Sequence, residues 1–308
     1  MKNINKIKIT IGITVFKEKK LLLEAWKSVI EQTSQMWEAV MVFDGGGDYK
    51  TKSIFDSIEH PRLKKTTFPY NQGPYVCRTK AIELCNTEWY CHLDADDILP
   101  EDAIELILNK IDECPEAEYI FGSCKHFSLG NSQVRKPEKN KENLCYSPLF
   151  CATAPIKKKL FKRLDGFFIP KNFFHSDWDF WLNVYEQNII GAEIEKNIYY
   201  RRRRKDGITN KNFKYLPKAL EQIIERHPIF FKNKKRIRNA RSNVYEKTAR
   251  LYRTYGKRKL AYKYAQLAVK NGSNAPVIDS IKLEYTMPIW RFIIRRIGRV
   301  INMSIKVD

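Results

Sequence analysis

Three carboxylates follow a short apolar run in the segment His92-Leu93-Asp94-Ala95-Asp96-Asp97-Ile98-Leu99-Pro100. Carboxylates this close together repel one another, so their ionised forms are costly unless a cation holds them. Hard divalent ions such as Mn²⁺ and Mg²⁺ take oxygen ligands and often join a few carboxylates to a substrate diphosphate. The cluster therefore predicts a metal site. The alternative is that Asp97 caps a helix that opens near Pro100-Glu101-Asp102.

The residues on either side of this cluster alternate short β-rich runs with helical patterns. The candidate strands are Ile7–Phe16, Ala39–Asp44, Leu63–Phe68, Trp89–Leu93 and Tyr119–Ser123. The candidate helices between them are Lys20–Gln32, Tyr49–Ile58, Pro74–Cys85 and Glu101–Cys114. This alternation predicts βαβ units and a mostly parallel sheet, and ligands bind beyond the carboxyl ends of such strands. Asp44 and Asp94, each at a strand end, are therefore expected in one crevice.

The second half of the chain has a different pattern. Residues Gly130–Asn143 are polar and lysine-rich and predict a loop, whereas Ser176–Gln187 predicts a further helix. After residue 204 the pattern is all-helical, and the candidates are Pro217–Arg226, Lys235–Thr254 and Lys257–Lys270. The last two are joined across Tyr255-Gly256 and predict a helical hairpin.

The composition is that of a folded protein with a substantial core, because 43% of the residues are hydrophobic and 13% are aromatic. The polar segment Met1–Lys8 and the strand-length run Ile9–Phe16 lack the pattern of a secretory leader. No apolar stretch reaches the about 18 residues that a membrane-spanning helix needs. Seven scattered cysteines without CxxC pairs argue against a disulfide framework and against a zinc site. These features predict a location in the reducing cytoplasm.

The last third of the chain carries the whole basic excess. Residues 1–200 hold 27 Lys and Arg against 28 Asp and Glu, whereas residues 201–308 hold 29 against 7. A field this one-sided predicts an anionic partner, namely phosphates, an anionic lipid surface or nucleic acid. The alternative is a solvated helical tail that binds nothing.

Five motifs resemble, in the same order along the chain, those of glycosyltransferase family 2. They are Ile9-Thr10-Ile11-Gly12-Ile13-Thr14-Val15-Phe16 with Ser28-Val29-Ile30-Glu31-Gln32-Thr33, then Phe43-Asp44-Gly45-Gly46-Gly47-Asp48, Asn71-Gln72-Gly73-Pro74-Tyr75-Val76-Cys77-Arg78-Thr79, the acidic cluster, and Ser176-Asp177-Trp178-Asp179-Phe180-Trp181. The resemblance covers about residues 7–205 and implies the GT-A fold, a Rossmann-like, mostly parallel α/β sheet flanked by helices. We expect a nucleotide-sugar-binding catalytic domain over residues 1–210 and a basic helical C-terminal region over residues 211–308.

The resemblance implies a donor site at the ends of the first strands. Asp44 matches the position that contacts the nucleotide base, where a carboxylate can accept a hydrogen bond from N3–H of uracil, so a UDP-sugar is expected. The alternative is a turn residue, because Asp-Gly-Gly-Gly is also turn chemistry. Thr14 is expected to contact the nucleoside. Arg78 is expected to pair with a phosphate or with an aspartate of the cluster, or else to lie on a helix surface.

Two residues depart from the family pattern. Phe43 replaces the first of the paired aspartates before the glycines, and Thr79 replaces the asparagine that usually follows the arginine. These departures concern the identity of the nucleotide rather than the general chemistry.

The resemblance also implies a single displacement with inversion at the anomeric carbon. Asp177 matches the general base, which deprotonates the attacking acceptor hydroxyl; proton transfer of this kind contributes roughly 10²–10⁴-fold. Mn²⁺ or Mg²⁺ held by Asp96, with Asp94, neutralises the departing diphosphate. Asp179 is expected to have a structural or acceptor-orienting role. The alternative for Asp177 and Asp179 is that both are acids stabilised by a helix N-terminus.

An arginine-rich segment follows the base, Tyr199-Tyr200-Arg201-Arg202-Arg203-Arg204-Lys205-Asp206-Gly207-Ile208-Thr209. Arginines bind diphosphates in a bidentate manner. One or two of the four are expected to face the site, and Arg201 is the candidate for donor binding. The alternative is that the segment only begins the basic tail.

The chain closes with a basic amphipathic pattern over Ile289–Ile301. Apolar residues recur near positions 289/290, 293, 297 and 300/301, with Arg291, Arg295, Arg296 and Arg299 mostly opposite them. Such a helix suits an anionic membrane surface, to which each cation contributes about 1 kcal/mol. The alternative is a helix that packs its apolar stripe on the domain.

Together these observations predict a metal-dependent inverting glycosyltransferase. The family resemblance implies that it acts on a saccharide or lipid-linked acceptor in surface polysaccharide or glycolipid assembly. It is expected in the cytoplasm, peripherally on the inner face of the membrane. A nucleotidyltransferase is one alternative, but Gly12–Lys20 lacks the glycine- and basic-rich loop that a triphosphate needs. A nucleic-acid-binding protein is the other; it explains the basic tail and leaves the acidic cluster unexplained.

Overall fold

The computed structural model describes residues 6–128, 131–138, 140–148, 153–170, 175–204 and 212–286. The chain divides into two compact units, Met1–Gly207 and Ile208–Asp308. In the first unit strands alternate with helices, and the second unit is helical wherever it has regular structure in the described part. The predicted α/β fold followed by a helical region is confirmed.

The first unit is built on one sheet of eight described strands. They are β1 (Ile9–Val15), β2 (Trp37–Phe43), β3 (Leu63–Thr67), β4 (Trp89–Asp94), β5 (Tyr119–Ser128), β6 (Asn131–Arg135), β7 (Ile156–Lys157) and β8 (Gly191–Arg202). The strand order is β3-β2-β1-β4-β7-β5-β6, and β8 pairs with β5. Strands β1 to β4 are parallel to their neighbours in this group, and β8 is parallel to β5. Strand β7 is antiparallel to β4 and β5, and β6 is antiparallel to β5.

Six described helices belong to this unit. They are α1 (Leu21–Ile30), α2 (Tyr49–Ser57), α3 (Pro74–Leu84), α4 (Ala103–Glu113), α5 (Lys158–Arg163) and α6 (Ser176–Glu186). The four candidate helices of the first 125 residues are thus confirmed to within two residues at each end, as is the predicted helix at Ser176–Gln187. Differences of this size are usual where helix ends fray.

The core of the unit lies around strand β1. Ile9, Ile11 and Ile13 are fully buried, and nearly all of the strand is inaccessible on both faces, as expected for a central parallel strand covered by helices. Helices α1 and α4 add their apolar stripes to the same core, with Leu22 and Ile104 both fully buried. The apolar runs that predicted the strands are therefore the residues that the fold removes from water.

The loop predicted at Gly130–Asn143 is wrong in part. It contains strand β6, which pairs antiparallel with β5, and the start of a 3₁₀ helix at Lys141–Cys145. The sequence of β6, Asn-Ser-Gln-Val-Arg, lacks apolar alternation because it is the last strand at its edge of the sheet. The short strand β7, the long strand β8 and helix α5 were not predicted either.

The second unit contains four described α-helices, namely α7 (Leu216–Arg226), α8 (Lys234–Thr254), α9 (Arg258–Lys270) and α10 (Pro276–Thr286). Helices α8 and α9 pack together through small residues such as Ala249 and Ala265, so the predicted hairpin is confirmed. Gly256 stands at the turn between them with φ of 70°. Helix α10 was not predicted. Its residue Glu284 is buried and accepts two hydrogen bonds from Arg253 at 2.8 and 2.6 Å.

The structure bears on two further expectations. The six described cysteines, Cys77, Cys85, Cys91, Cys114, Cys124 and Cys145, form no disulfide. None of the described helices combines the length and the apolar character that crossing a membrane requires. The amphipathic pattern at Ile289–Ile301 lies outside the described residues, as does Lys205–Thr209.

Candidate active site

Three of the residues predicted to bind the donor lie at the carboxyl ends of neighbouring strands. Thr14 of β1 is paired in register with Asp94, the last residue of β4. Asp44 directly follows β2, and its amide donates to the carbonyl oxygen of Val15 at 2.7 Å. The parallel sheet thus brings Thr14, Asp44 and Asp94 to one edge, as the strand-end argument predicted.

Asp44 is buried and holds the N-terminal end of helix α3. Its carboxylate accepts hydrogen bonds from Nδ2 of Asn71 at 2.8 Å and from the amides of Gln72 and Gly73 at 2.6 and 2.9 Å. The thiol of Cys77 on α3 also hydrogen-bonds to this carboxylate, so four groups of the protein share its acceptor positions. The alternative that Asp44 only stabilises its own turn is not what the structure shows, because the nearest of these partners lies 27 residues away.

The glycines after Asp44 permit a close approach of two loops. A Cβ atom on Gly45 would overlap the backbone between Phe68 and Tyr70. A side chain at this position would therefore displace that backbone, which leads directly into the segment that binds Asp44. The next helix, α2, is capped by Asp48, whose side chain accepts from the amide of Thr51 at 3.1 Å.

Asp94 receives two side-chain hydrogen bonds on one of its oxygens. Nη2 of Arg78 lies 2.8 Å and Nε2 of His92 lies 2.9 Å from Oδ1. Burial alone would raise the pKa of Asp94, but Arg78 and His92 hold it well below its usual range. Burial, with the Arg78 charge, lowers the pKa of His92 to about 4, so the ring is neutral near pH 7. Of the possibilities for Arg78, the structure shows the pairing with an aspartate of the cluster.

Asp97 is buried and is held by strand β8. It accepts from the hydroxyl of Tyr199 at 2.9 Å and from the amide of Arg202 at 2.6 Å. Helix α4 begins only at Ala103, after Asp102, so the interpretation of Asp97 as a helix cap is wrong. Burial, with the charges of Asp94 and Asp96, raises the pKa of Asp97 to about 8. Asp97 therefore fixes the shape of the acidic loop through β8.

Asp96 is the aspartate of the cluster that pairs with an arginine of the basic segment. Its Oδ2 lies 3.2 Å from Nη1 of Arg204, and its carbonyl oxygen accepts from Nε of Arg202 at 2.9 Å. Burial and the charge of Asp94 raise the pKa of Asp96. Nearby Glu18, which accepts from the amide of Phe16 at 2.6 Å, has its pKa raised to about 7, mainly by burial.

Two arginines of the basic segment meet the acidic loop. Arg202 is the last residue of β8 and donates to the carbonyl oxygen of Asp96, and Arg204, two residues beyond the strand, pairs with the Asp96 carboxylate. Arg203 donates to Nδ1 of His126 on β5, and the exposed Arg201 stands opposite the same histidine in the β5–β8 pairing. Donor binding by Arg201 stays a prediction, while Arg202 and Arg204 are contacts of the acidic loop that sequence reasoning did not single out.

The carboxylates fit a divalent ion only as a partial ligand set. Among the described residues, no group of three or more His, Cys, Asp or Glu side chains is arranged to hold a metal ion. Asp94 and Asp96 nevertheless supply the hard oxygen donors that Mn²⁺ and Mg²⁺ prefer. Sites for Mg²⁺ in enzymes commonly use one or two carboxylates and complete the shell with substrate phosphates and water. The donor set therefore fits a metal site that a diphosphate would complete.

Asp177 lies in the first turn of helix α6 and accepts a hydrogen bond from the hydroxyl of Tyr75 at 2.7 Å. Burial, with the neighbouring charge of Asp177, raises the pKa of Tyr75 well above its usual value, so the phenol keeps its proton. Asp179 is fully buried, whereas Asp177 is only partly buried. Trp178 and Trp181 are core residues, as expected, and Nε1 of Trp178 donates to the carbonyl oxygen of Leu144 at 2.6 Å.

Helix α3 connects the three carboxylates of the candidate site. The amide of Gly73 at its N-terminal end binds Asp44, the hydroxyl of Tyr75 binds Asp177, and Arg78 binds Asp94. The guanidinium carbon of Arg78 lies 5.1 Å from the centre of the Tyr75 ring, so the two side chains also contact each other. One element thus sets the positions of carboxylates that lie far apart in the sequence.

One protein-family profile matches this chain. The profile described as Glycosyl transferase family 2 matches residues 10–183, more than half of the chain. This chain therefore belongs to glycosyltransferase family 2, and the resemblance in its motifs is confirmed.

Its similar proteins are distant in sequence. An uncharacterized glycosyltransferase of Haemophilus influenzae is 21% identical over 206 residues, which cover 64% of this chain and 76% of that protein. An uncharacterized glycosyltransferase of Methanocaldococcus jannaschii is 26% identical over 191 residues, 56% of this chain and 63% of that protein. A teichoic acid poly(glycerol phosphate) polymerase of Staphylococcus epidermidis is 28% identical over 105 residues, 33% of this chain and 15% of that protein.

Two solved structures share the fold. The mannosyltransferase PcManGT of Pyrobaculum calidifontis, in complex with GDP-Man and Mn²⁺, superposes with a TM-score of 0.58 and 18% identity, over 98% of this chain and 87% of its own. Residues 1–349 of S. aureus TarS, in complex with UDP-GlcNAc, superpose with a TM-score of 0.55 and 16% identity, over 86% of this chain and 89% of that one. At these identities the likeness shows the fold, which is GT-A.

Proposed function

We propose that this chain is a metal-dependent, inverting transferase that moves a sugar from a nucleoside diphosphate sugar to an acceptor hydroxyl, with UDP as the expected nucleotide. The observation that carries the proposal is the arrangement around α3, where one helix holds Asp44, Asp94 and Asp177. Asp44 is suited to the nucleotide base of the donor, Asp94 to its diphosphate and Asp177 to the acceptor. That PcManGT and TarS were solved with GDP-Man and UDP-GlcNAc supports a sugar nucleotide as the donor.

On the donor side, we assign Asp44 to an N–H group of the nucleotide base, which would replace one of the side-chain donors that Asp44 now accepts from, and Thr14 to the nucleoside. A divalent ion bound to Asp96, with Asp94, would neutralise the negative charge that develops on the leaving diphosphate. Arg204 pairs with Asp96 at 3.2 Å. It and Arg201 are the cations that we assign to the diphosphate, since guanidinium groups bind phosphates in a bidentate manner.

On the acceptor side, Asp177 is the general base. Its carboxylate is partly exposed at the start of α6, and Tyr75 fixes one of its oxygens. The other carboxylate oxygen of Asp177 takes the proton of the acceptor hydroxyl. The hydroxyl oxygen attacks the anomeric carbon at the same time, from the side opposite the diphosphate. The product then has the inverted configuration, and no covalent enzyme intermediate forms.

The basic region after residue 200 suggests where the acceptor is. We propose a catalytic domain over residues 1–210 and a basic helical region over residues 211–308 that places the enzyme at an anionic membrane surface on the cytoplasmic side. The acceptor is then a saccharide or lipid-linked intermediate of surface polysaccharide or glycolipid assembly. The similarity to a teichoic acid polymerase over 105 residues is compatible with this role. No observation favours the nucleotidyltransferase or the nucleic-acid-binding alternative over the family to which the chain belongs.

A thermal-shift screen tests the proposal. Nucleoside diphosphates and sugar nucleotides, each with Mn²⁺ or with EDTA, are expected to raise the melting temperature selectively, with a UDP-sugar and Mn²⁺ giving the largest rise. Asp96→Ala should abolish the part of the rise that depends on the metal. Asp112→Ala is the matched control, because this carboxylate pairs with Lys8 on the surface and is 64% exposed. Equal shifts with Mn²⁺ and EDTA would contradict metal dependence, and no shift with any sugar nucleotide would contradict the donor class.

A further inference from the structure

A line of three side chains on strand β4 leads from the interior of the sheet to the candidate site. Tyr90, His92 and Asp94 are alternate residues of β4, so they point to the same face. The Tyr90 hydroxyl lies 3.1 Å from Nδ1 of His92, and Nε2 of His92 lies 2.9 Å from Oδ1 of Asp94. Tyr90 and His92 are buried, whereas the Asp94 side chain is 31% exposed.

A glycine on the neighbouring strand makes room for this line. Gly12 of β1 is paired in register with His92, and a Cβ atom at Gly12 would overlap the Tyr90 ring. The glycine is therefore needed for the tyrosine to lie where its hydroxyl reaches the histidine. Gly12 stands in the middle of a buried strand, where a glycine gives up side-chain packing. The space that it leaves is filled by the Tyr90 ring.

The directions of the two hydrogen bonds follow from the partners. An ionised carboxylate only accepts, so Nε2 of His92 carries the hydrogen that points to Asp94. In a neutral imidazole the other nitrogen is then an acceptor, so the Tyr90 hydroxyl donates to Nδ1. The hydroxyl thereby selects one tautomer of His92, much as hydrogen bonds behind a metal-binding histidine select its tautomer.

Both side-chain bonds to Asp94 go to the same oxygen. His92 and Arg78 converge on Oδ1 from β4 and α3, and their own side chains are only 4% and 9% exposed. Both acceptor positions of Oδ1 are thus engaged, which leaves Oδ2 for a further partner. Two donors from different elements fix the rotation of a carboxylate that one donor would leave free to turn.

We propose that His92, oriented by Tyr90, is a positioning residue that locks Asp94 so that Oδ2 is presented to the donor. This inference rests on the proposed function, in which Asp94 takes part in donor binding. Loss of such supporting partners typically costs 10- to 100-fold in affinity or activity at comparable sites. His92 acts entirely through Asp94, so its effect depends on that carboxylate.

The test measures the affinity of the full chain for UDP-GlcNAc with Mn²⁺ by calorimetry. His92→Leu removes the donor at similar size and is expected to weaken binding about tenfold. His92→Gln can place an amide N–H near Nε2 and should bind within about threefold of the wild type, because the donor to Oδ1 is restored. Tyr90→Phe keeps the ring and removes only the hydroxyl. It is the milder variant to use if His92→Leu does not fold, and should weaken binding by about two- to fivefold.

A double-mutant cycle separates positioning from a general structural role. In an Asp94→Asn background, His92→Leu should change the affinity by less than about twofold, because contacts that act through a shared partner are not additive. If His92→Leu binds normally while Asp94→Asn does not, or if its cost is the same in both backgrounds, the positioning role is wrong. If Asp94→Asn itself binds as tightly as the wild type, the role of Asp94 in the proposed function is wrong, and the positioning role falls with it.

Discussion

Neighbouring carboxylates of the acidic loop differ in pKa because their partners differ. Asp94 meets Arg78 and His92, which hold its pKa well below the usual range despite burial. Asp97 meets a tyrosine hydroxyl and a backbone amide, and burial raises its pKa to about 8. Asp97 therefore takes up a proton at a higher pH than Asp94 does, and this difference reduces the repulsion that the sequence alone suggested.

Glu18 provides a test of this electrostatic picture in the metal-free protein. Its pKa is raised from the ordinary 4.5 to about 7, mainly by burial. Between these values the folded protein binds a proton that the unfolded chain has lost, so stability falls as the pH rises from about 4.5 to 7. Glu18→Gln keeps an acceptor for the amide of Phe16 and removes the ionisation. The variant should match the wild type near pH 4 and exceed it at pH 8, by at most about 3 kcal/mol.

Urea unfolding in EDTA at pH 4, 6 and 8 measures this difference. Glu31→Gln is the control, because Glu31, the residue after α1, is exposed and forms an ion pair with Lys27 of that helix. Its stability difference from the wild type should stay nearly constant with pH. A Glu18→Gln variant that is less stable than the wild type at pH 8 would show that the ionised carboxylate is favoured at this position.

Asp177 is expected to matter for chemistry more than for binding. Asp177→Asn keeps the shape and can still accept from Tyr75, but it cannot take up the proton of the acceptor. We expect kcat to fall about 10²-fold or more while donor affinity changes little, since the interaction lost is made in the transition state. Steady-state kinetics with the donor found in the screen, together with calorimetric donor affinity, measure both quantities.

A near-normal kcat of Asp177→Asn would move the base elsewhere. The sequence offers Asp179 as the next candidate, but this residue is fully buried, so it does not reach an acceptor without a rearrangement of α6. Tyr75→Phe is the companion variant. It leaves the base in place and removes its orienting bond, so it should lower kcat less than Asp177→Asn does.

At the scale of elements, the sequence predicted what apolar patterns specify. The candidate strands and helices of the first 125 residues have confirmed counterparts, because nearly all of them carry a buried face; β3, with no buried residue, is the exception. Strand β8 was missed because its pairing with β5 includes register shifts near Gly122 and Ser123, and because its sequence mixes charged with apolar residues. Arg204 contacts Asp96 from two residues beyond the end of β8, so the sequence alone did not distinguish it from Arg201.

The contacts between site residues were harder to predict than the residues themselves. The motifs pointed to Asp44, Asp94 and Asp177, but not to the fact that α3 binds all three. Tyr75 and His92 stand within the motifs, but the sequence assigned them no role. A tyrosine or histidine on a helix or strand is more often a core residue than a residue of a functional site. Tyr90, His92 and Asp94 are alternate residues of a candidate strand and so share one face. This spacing was the signal in the sequence for the hydrogen bonds that join them.

The start of α3 should be sensitive to backbone strain. Gly73 has φ of 88° and ψ of 162°, a conformation that residues with a Cβ rarely adopt, yet a Cβ there would meet no atom within 4 Å. Gly73→Ala should therefore cost about 1–3 kcal/mol from strain alone. Because the amide of Gly73 donates to Asp44 at 2.9 Å, relaxation of the strain should also weaken nucleotide binding.

Gly256→Ala is the matched control for this variant. Gly256 also has a positive φ, 70°, but it lies at the turn between α8 and α9 in the second unit. Both variants should lower the unfolding temperature, and only Gly73→Ala should reduce the affinity for UDP. Equal UDP affinities for the two variants would mean that the contact between α3 and Asp44 does not contribute to binding.

At the scale of the whole molecule, the family motifs and the excess of positive charge lie in different parts of the chain. The family motifs lie before residue 205 in a part that is nearly neutral, and the basic excess lies after it. Within the described part of the second unit, acidic residues such as Glu221 and Glu284 are already paired with arginines. The remaining cations outnumber what the unit needs for its own ion pairs, which supports an external anionic partner.

The basic C-terminal segment is expected to anchor the chain to membranes. Its amphipathic pattern at Ile289–Ile301 suits an anionic lipid surface, and a transferase that uses a lipid-linked acceptor has to reach the membrane. Truncation before Pro288 should weaken co-sedimentation with anionic vesicles, in a salt-sensitive manner because charges are screened within about 8–10 Å at physiological ionic strength. UDP binding should persist, since the family motifs precede residue 205. Equal co-sedimentation of both chains would exclude the segment as the anchor, and unfolding of the truncated chain would show that its apolar stripe belongs to the core.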